Sequence, residues 1–323
     1  MKTLLFIVNP RAGRTRSMAP MFDVVARFSQ AGYLIKLFIT EGPGDAKRAA
    51  AELGGQFDLV VCAGGDGTFN EALTGAYGFA GTAVGCLPYG SGNDFLRTYG
   101  TREEFTDLDA QLAGGEVTID TMQTNLGLSA TICAAGLDAQ VAYGIPKFRR
   151  IPLCGGEMAY ALSIVEQLCG QIGRKIEYDI DGEKRTVDCL MCAVCNGKAY
   201  GGGFLAAPEA VPDDGWMDVV IIRKVGRLTI AKLLGMYKRG GHFVHGQLTE
   251  QAKPYFIYRR AKQVTLRPVD GRGPIVATAD GECAPCDRVE IALHPQSARI
   301  LLPKAAYERF CAQRENAASA VTR

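Results

Sequence analysis

The stretch from Leu59 to Leu73, LVVCAGGDGTFNEAL, carries the densest chemistry in the chain. A short apolar run stops at Gly64, Gly65 and Gly67, which lack side chains, tolerate positive φ and let backbone N–H groups approach an anion closely. Thr68 and Glu71 have capping-box spacing, predicting a helix that begins at Phe69, continues through Asn70 and aims its positive end at the loop. The stretch therefore reads as a cradle for a nucleotide phosphate. Asp66 is the one acid inside it. Phosphate oxygens repel a carboxylate, so a working Asp66 implies a bridging cation such as Mg²⁺.

The elements around this loop can be read in order. Leu59 to Cys62 is short and bounded by glycine, as expected of a buried parallel strand. Similar runs occur at Lys2 to Val8, closed by NPRAGR; at Tyr33 to Thr40, closed by EGPG; and at Ala83 to Leu87, closed by PYGSGNDF. Helical patterns at Met18 to Gln30, Asp45 to Leu53 and Asn93 to Tyr99 complete a βαβα alternation, which predicts an α/β domain with a mainly parallel sheet and helices on both faces. Ligands of such sheets sit at the carboxyl ends of the strands. Asn9, Thr40, Gly64 to Asn70 and Ser91 are accordingly expected in one crevice. Taken singly, Asn9 and Ser91 read as turn caps and Thr40 as a strand end; their joint placement favours the crevice.

After Gly115 the texture changes. Glu116 to Asn125, Ser129 to Ala134, Lys175 to Ile180, Arg185 to Cys195, Met217 to Ile222, Gln263 to Arg267 and Val289 to Leu293 are strand-like, with helical patterns only around Gly156 to Gln171 and Thr229 to Arg239. A second, mostly antiparallel, β-rich domain follows from this. The expected division is 1–120 and 121–300, with 301–323 packing back on the first domain through a helix at Pro303 to Gln313 and a frayed tail from Arg314. A cleft between the domains is the expected active site.

Composition bounds the function. A length of 323 residues, 47% of them hydrophobic and 22% charged, suits two soluble globular cores. A formal net charge of +2 is too mild to argue for nucleic acid. No apolar run approaches the roughly 18 residues of a spanning helix, so a cytoplasmic protein is predicted. Among the 11 cysteines, Cys189, Cys192 and Cys195 with Cys283 and Cys286 invite a zinc reading. The period of two in a strand would send Cys189 and Cys192 to opposite faces, which weighs against it. His242 and His245 lack a third ligand. Walker A, HRD, DFG and HExxH signatures are missing, which excludes P-loop NTPases, protein kinases and zincins.

Four separated motifs remain: NPRAG at Asn9 to Gly13, GGDGTFNE at Gly64 to Glu71, LPYGSGNDF at Leu87 to Phe95, and the late pair AYGGGFLAAPEAVPDDGWMDV and ADGE, the latter ending at Glu282. In these the chain resembles, over nearly its whole length, the soluble diacylglycerol kinase and sphingosine kinase superfamily of lipid kinases, particularly its bacterial members. The GGDGT loop also occurs in NAD kinases and phosphofructokinases; the late pair is more specific. The resemblance implies an NAD kinase/diacylglycerol kinase-like first domain in which Asn9, Arg14, Thr40, Gly64, Gly65, Asp66, Gly67, Thr68, Phe69, Asn70 and Ser91 bind ATP. Arg14 stands where lysine is common and Ser91 where threonine is common, keeping the charge and the hydroxyl respectively.

The resemblance further implies that Glu282 takes the proton from a lipid hydroxyl. It implies that Asp214, with the carbonyls of Val211 and Trp216, holds a structural Mg²⁺, and that Asp120 is an acid that orients the cation or Glu282. On local sequence alone, Glu282 reads as a turn acid of a hairpin and PDDG as a surface turn. The implied reaction is ATP-dependent phosphorylation of a lipid, most directly diacylglycerol to phosphatidate. Phosphatidylglycerol, a sphingoid base and undecaprenol are alternative acceptors. More distant alternatives are an NAD kinase and a catalytically silent lipid- or nucleotide-binding protein. A membrane lipid substrate calls for peripheral contact with a membrane surface, for which KFRRIPL at Lys147 to Leu153 interleaves basic and apolar side chains. A solvated loop is the equal alternative there. The family also includes dimers, so the resemblance admits a homodimer.

Overall fold

The apolar runs at Leu59 and Ala83 become central parallel strands, buried throughout, whereas the run at Tyr33 lies at the sheet edge with Leu34, Leu37 and Ile39 exposed. The structure, a computed structural model, describes residues 1–13, 19–90, 92–151 and 156–321, and within its helices no side chains at 19, 20, 149, 156, 157 and 315–321. The chain divides into two units, Met1–Ile119 with Gln296–Arg323, and Asp120–Pro295.

The first unit begins with β1 (Lys2–Val8), α1 (Ala19–Gln30), β2 (Tyr33–Ile39), α2 (Asp45–Leu53), β3 (Leu59–Gly64), α3 (Asp66–Ala76) and β4 (Ala83–Pro88). The strands lie in the order β4-β3-β1-β2, all parallel. Leu59 to Gly64 and Ala83 to Pro88 are entirely buried, as parallel central strands require. The helix expected at Asn93 to Tyr99 reduces to one 3₁₀ turn, Phe95–Thr98. Asn93 takes φ 56° and donates its side-chain amide to the Gly90 carbonyl at 2.6 Å, a local bond that competes with helix formation. Short helices α4 (Arg102–Thr106) and α5 (Leu108–Leu112) follow.

The second unit is antiparallel. Its elements are β5 (Gly115–Thr124), which enters it from the first unit, β6 (Gly127–Ser129), β7 (Ile132–Gly136), α6 (Leu137–Arg149), α7 (Gly156–Cys169), β8 (Arg174–Ile180), β9 (Glu183–Cys195), β10 (Met217–Arg223), α8 (Arg227–Lys238), β11 (Phe243–Val244), β12 (Gln247–Leu248), β13 (Phe256–Ala261), β14 (Gln263–Pro268), β15 (Ile275–Ala279) and β16 (Glu282–Cys286). Then β17 (Val289–Leu302) returns the chain to the first unit, where its end runs parallel to β4 and α9 (Lys304–Val321) follows. The expected fold class, a parallel α/β unit plus an antiparallel β-rich unit, is the observed one. The tail expected to fray from Arg314 is helical to Val321, in keeping with its alanine content.

Two sequence expectations in the second unit give way. Helix α6 was not among the expected helical patterns; it forms despite an internal Gly144 and Pro146, with α7 packed against it. Along β9 the period of two fails at a bulge, where Arg223 pairs with Cys189 and Ile222 with Met191. Cys189 and Cys192 therefore pack in the same apolar cluster, together with Val194, rather than on opposite faces. Both thiols are fully buried, which pushes their ionisation far up.

Candidate active site

Strand β1 is followed toward β2 on one side and faces β3 on the other, so the strand order reverses between β1 and β3. Open sheets bind ligands at such a point. Asn9 leaves the end of β1 and donates its backbone N–H to the Ala63 carbonyl of β3 at 2.9 Å. Its side-chain amide donates to the Thr68 hydroxyl at 3.0 Å, tying the NPRAG loop to α3. The Gly90 N–H donates to the Gly64 carbonyl at 2.8 Å, and a Cβ on Gly90 would overlap Gly65. A Cβ on Gly13 would likewise overlap the Tyr89 carbonyl. Three of the glycine-bearing loops thus touch backbone to backbone, which only residues without side chains permit.

Helix α3 begins at Asp66, with Gly65 as its N-cap, and no side chain caps it. The capping box expected from Thr68 and Glu71 does not form. Both residues lie inside the first turns and are used elsewhere: the Thr68 hydroxyl accepts from Asn9, and the Glu71 carboxylate accepts the N–H groups of Gly44 and Ala46 at 2.9 and 3.2 Å, capping α2 instead. The helix end therefore keeps its positive partial charge without a side-chain cap. Phe69 does not face this end. Its ring is buried against Phe95, centroids 3.9 Å apart, and its N–H donates to the Gly65 carbonyl. The Asn70 side chain accepts from Thr74. Thr40 is buried, with both its N–H and its hydroxyl directed to the Val8 carbonyl. Arg14 and Ser91 lie outside the described residues.

Asp66 accepts the Phe95 N–H at 3.2 Å. Burial, and then the nearby Asp94 charge, push its carboxyl up to about 6. The two acids belong to the two glycine loops, so a pair of carboxylates meets where the loops touch. Asp94 was not singled out from sequence; the Asn-Asp that follows Gly92 was the available signal.

In the second unit Glu282 opens β16, exposed, directly after the turn from β15. The hairpin reading of the sequence holds: Asp280 and Gly281 take φ 44° and 97°, as a tight Asp-Gly hairpin turn requires. Asp280 does more than turn the chain. Its carboxylate accepts the N–H groups of Ala130, Thr131 and Ile132 at 2.7 to 3.2 Å, and its own N–H donates to the Ile132 carbonyl. Glu282 is therefore mounted on a pinned turn. Sequence reading used Asp280 only as a turn residue.

The DDG segment is held by two acids. Asp120 is fully buried and accepts the Gly215 N–H at 2.8 Å, while its N–H donates to the Pro212 carbonyl. The Asp214 carboxylate accepts the Trp216 N–H at 3.0 Å and pairs with Arg260, and its N–H points to the Val211 carbonyl at 3.4 Å. Burial pushes Asp214 up against the pull of Arg260. Arg260 and Lys262 also lie over the Trp216 ring, at 5.5 and 4.9 Å. Carboxylate and carbonyl oxygens suit a hard cation, but Arg260 already supplies a positive charge there.

His242 is buried, stacked on Phe256, with Nε2 at 2.9 Å from the Ala206 carbonyl; His245 sits in a turn at φ 50°. Cys283 and Cys286 lie on β16. Lys147 to Arg149 end α6 rather than forming a loop, Arg150 and Ile151 are exposed, and Pro152 and Leu153 lie outside the described residues. No described helix is long and apolar enough to cross a membrane.

Glycine loops meet at the switch point of the parallel sheet in the first unit, and the antiparallel unit carries an exposed carboxylate on a pinned hairpin. Solved structures share the fold: a putative diacylglycerol kinase from Bacillus anthracis (TM-score 0.75, 20% identity, 94% of this chain and 97% of that one) and an NAD kinase from Archaeoglobus fulgidus in complex with ATP (TM-score 0.53, 13% identity, 95% and 96%). The model of the diacylglycerol kinase catalytic domain matches residues 3–124, and that of the YegS C-terminal NAD kinase beta sandwich-like domain matches residues 131–302. A diacylglycerol kinase of Bacillus subtilis is 30% identical over 270 residues, spanning 82% of this chain and 86% of that protein. A diacylglycerol kinase of Staphylococcus saprophyticus is 26% identical over 268 residues, spanning 82% and 85%. The chain belongs to the diacylglycerol kinase family of lipid kinases.

Proposed function

We propose that the protein transfers the γ-phosphoryl group of ATP to a lipid hydroxyl, with diacylglycerol as acceptor and phosphatidate and ADP as products. The observation that carries this is the uncapped α3 N-terminus at the switch point, with Asn9, Thr68 and the touching glycine loops around it and Asp66 beside it. The reading assigns the phosphate half of the reaction to the first unit and the acceptor half to the second. Backbone N–H groups at Gly65 to Thr68 hold the triphosphate. Asp66, ionised, would hold Mg²⁺, which neutralises phosphate charge when bound. Glu282 accepts the acceptor's hydroxyl proton as its oxygen bonds to phosphorus and the bond to the ADP oxygen breaks. Asp120 positions the DDG segment. The oxygens of Val211, Asp214 and Trp216 would hold a second cation once Arg260 yields Asp214. The B. subtilis relative's name supports diacylglycerol over other lipids. The reading places the enzyme in the cytoplasm, at the membrane surface.

Incubation with labelled ATP and Mg²⁺ against diacylglycerol, phosphatidylglycerol, sphingosine, undecaprenol and NAD tests it. Transfer to diacylglycerol is expected; transfer to NAD alone, or to nothing by folded protein, defeats it. Glu282→Gln is expected to abolish transfer with ATP affinity and melting temperature unchanged, because the side chain is exposed. Full activity in that variant would falsify the base assignment.

A further inference from the structure

Asn196 stands directly after the end of β9 and is 1% exposed. Its Nδ2 donates to two carbonyls, that of Asp120 on β5 at 2.8 Å and that of Ala130 at 3.0 Å, and both bonds are buried. Its backbone N–H and that of Gly197 donate to the Thr131 carbonyl, each at 2.9 Å. A carbonyl can only accept, so the chemistry fixes which end of the amide faces the pair. The Oδ1 is then buried with no donor among the described residues. A buried, unpaired acceptor lowers stability. The compensating gain lies in two donors on a short side chain: serine has one, ionised aspartate has none, and glutamine is longer.

The segments that Asn196 joins lead to the acidic features of the second unit. The Asp120 carboxylate holds the Gly215 N–H of the DDG loop, and the Asp120 N–H reaches the Pro212 carbonyl. Residues 130–132 run from β6 into β7, and the Asp280 carboxylate takes their N–H groups. This turn is therefore gripped on its carbonyls by Asn196 and on its N–H groups by Asp280, two residues before Glu282. Glu282 itself is exposed, so the backbone beneath it, rather than packing around it, sets where its carboxylate stands. A continuous path of hydrogen bonds runs from the DDG loop through Asp120, Asn196, the turn and Asp280 to the Glu282 hairpin.

We propose that Asn196 is a positioning residue for the phosphoryl transfer, locking the DDG loop and the Glu282 hairpin into one block so that the base meets the acceptor hydroxyl at a fixed place. It acts through Glu282 rather than on the substrate. A misplacement of about 1 Å at a reacting group costs roughly 100-fold in rate, even when it originates far from the chemistry. This inference rests on the reading of Glu282 as the base and adds what holds that base in place.

The test is Asn196→Ala in the full chain beside Asn196→Ser, which keeps one donor, with the fold of each checked by thermal melting. In the alanine variant kcat is expected to fall roughly 100-fold, with KM for diacylglycerol and MgATP affinity unchanged, and the serine variant is expected to recover part of the loss. Hydrogen exchange at the amides of residues 130–132 and of the Glu282 hairpin should accelerate, while that of α3 stays as in the wild type. A folded alanine variant with the wild-type kcat overturns the proposal, and so does a loss that falls on KM or MgATP affinity instead. A lowered kcat with unaltered exchange at the hairpin also overturns it, because Asn196 then acts by another route. If neither variant folds, Asn196 serves stability alone and the proposal fails. A wild type that phosphorylates NAD and no lipid defeats the lipid-kinase reading instead; the kcat comparison then runs on NAD and still decides the role of Asn196.

Discussion

Replacing Asp66 by Asn is expected to stabilise the protein while removing its ability to use Mg²⁺ with ATP. Burial and the Asp94 charge raise the Asp66 carboxyl from 3.8 to about 6. At about 1.4 kcal/mol per unit, keeping it ionised at pH 8 costs about 3 kcal/mol, and partial solvent contact reduces this to about 1–2 kcal/mol. The folded value lies above the unfolded one. The group's favourable contribution is therefore complete below about pH 4 and is lost as pH rises through about 6. Asparagine keeps an acceptor for the Phe95 N–H and carries no charge. Melting temperatures of wild type and variant, compared from pH 4 to pH 8, should diverge to roughly 3–6 °C in favour of the variant at pH 8 and converge at pH 4. Because Asp138 is also raised to about 6, the difference between the two proteins, rather than either curve alone, reports Asp66. Equal melting at pH 8, or a gap undiminished at pH 4, refutes the burial argument. In the second arm, adding MgATP should raise the wild-type melting temperature and leave the variant's unmoved.

Two further substitutions follow from the second unit. Asp280→Ala strands the N–H groups of Ala130, Thr131 and Ile132 and should cost about 2–4 kcal/mol in urea unfolding, with transfer lost and ATP binding retained; a loss below about 0.5 kcal/mol counts against the pinned hairpin. Asp214→Asn tests the second cation: Mg²⁺ should raise the melting temperature of the wild type in the absence of ATP and not that of the variant, whereas no response in the wild type means that Arg260 alone neutralises the loop.

Local sequence was a sound guide wherever one segment's own pattern decides its state. The parallel strands at Leu59 and Ala83 were legible because their apolar runs are short and end at glycine or proline. Asp45–Leu53 was read to its boundaries because its alanine-rich interior and flanking glycines agree. Readings failed where two segments compete for one group. Thr68 and Glu71 have capping-box spacing, yet Asn9 claims the hydroxyl and α2 claims the carboxylate, and neither partner is near in sequence. The Asn93 helix failed because its side chain found the Gly90 carbonyl, and the cysteine alternation failed because β10 pairs with β9 across a bulge.

The sequence by itself determined the glycine loops, the Asp-Gly turn before Glu282 and the alternation of strands and helices, since backbone freedom and hydrophobic period are properties of the residues present. Only the tertiary structure decided that the α3 N-terminus stays uncapped, that Asp66 meets Asp94 and that Asp280 anchors to three backbone donors. Each of these is a contact, or a missing contact, between residues far apart along the chain, and its energy exists only once the fold has brought them together.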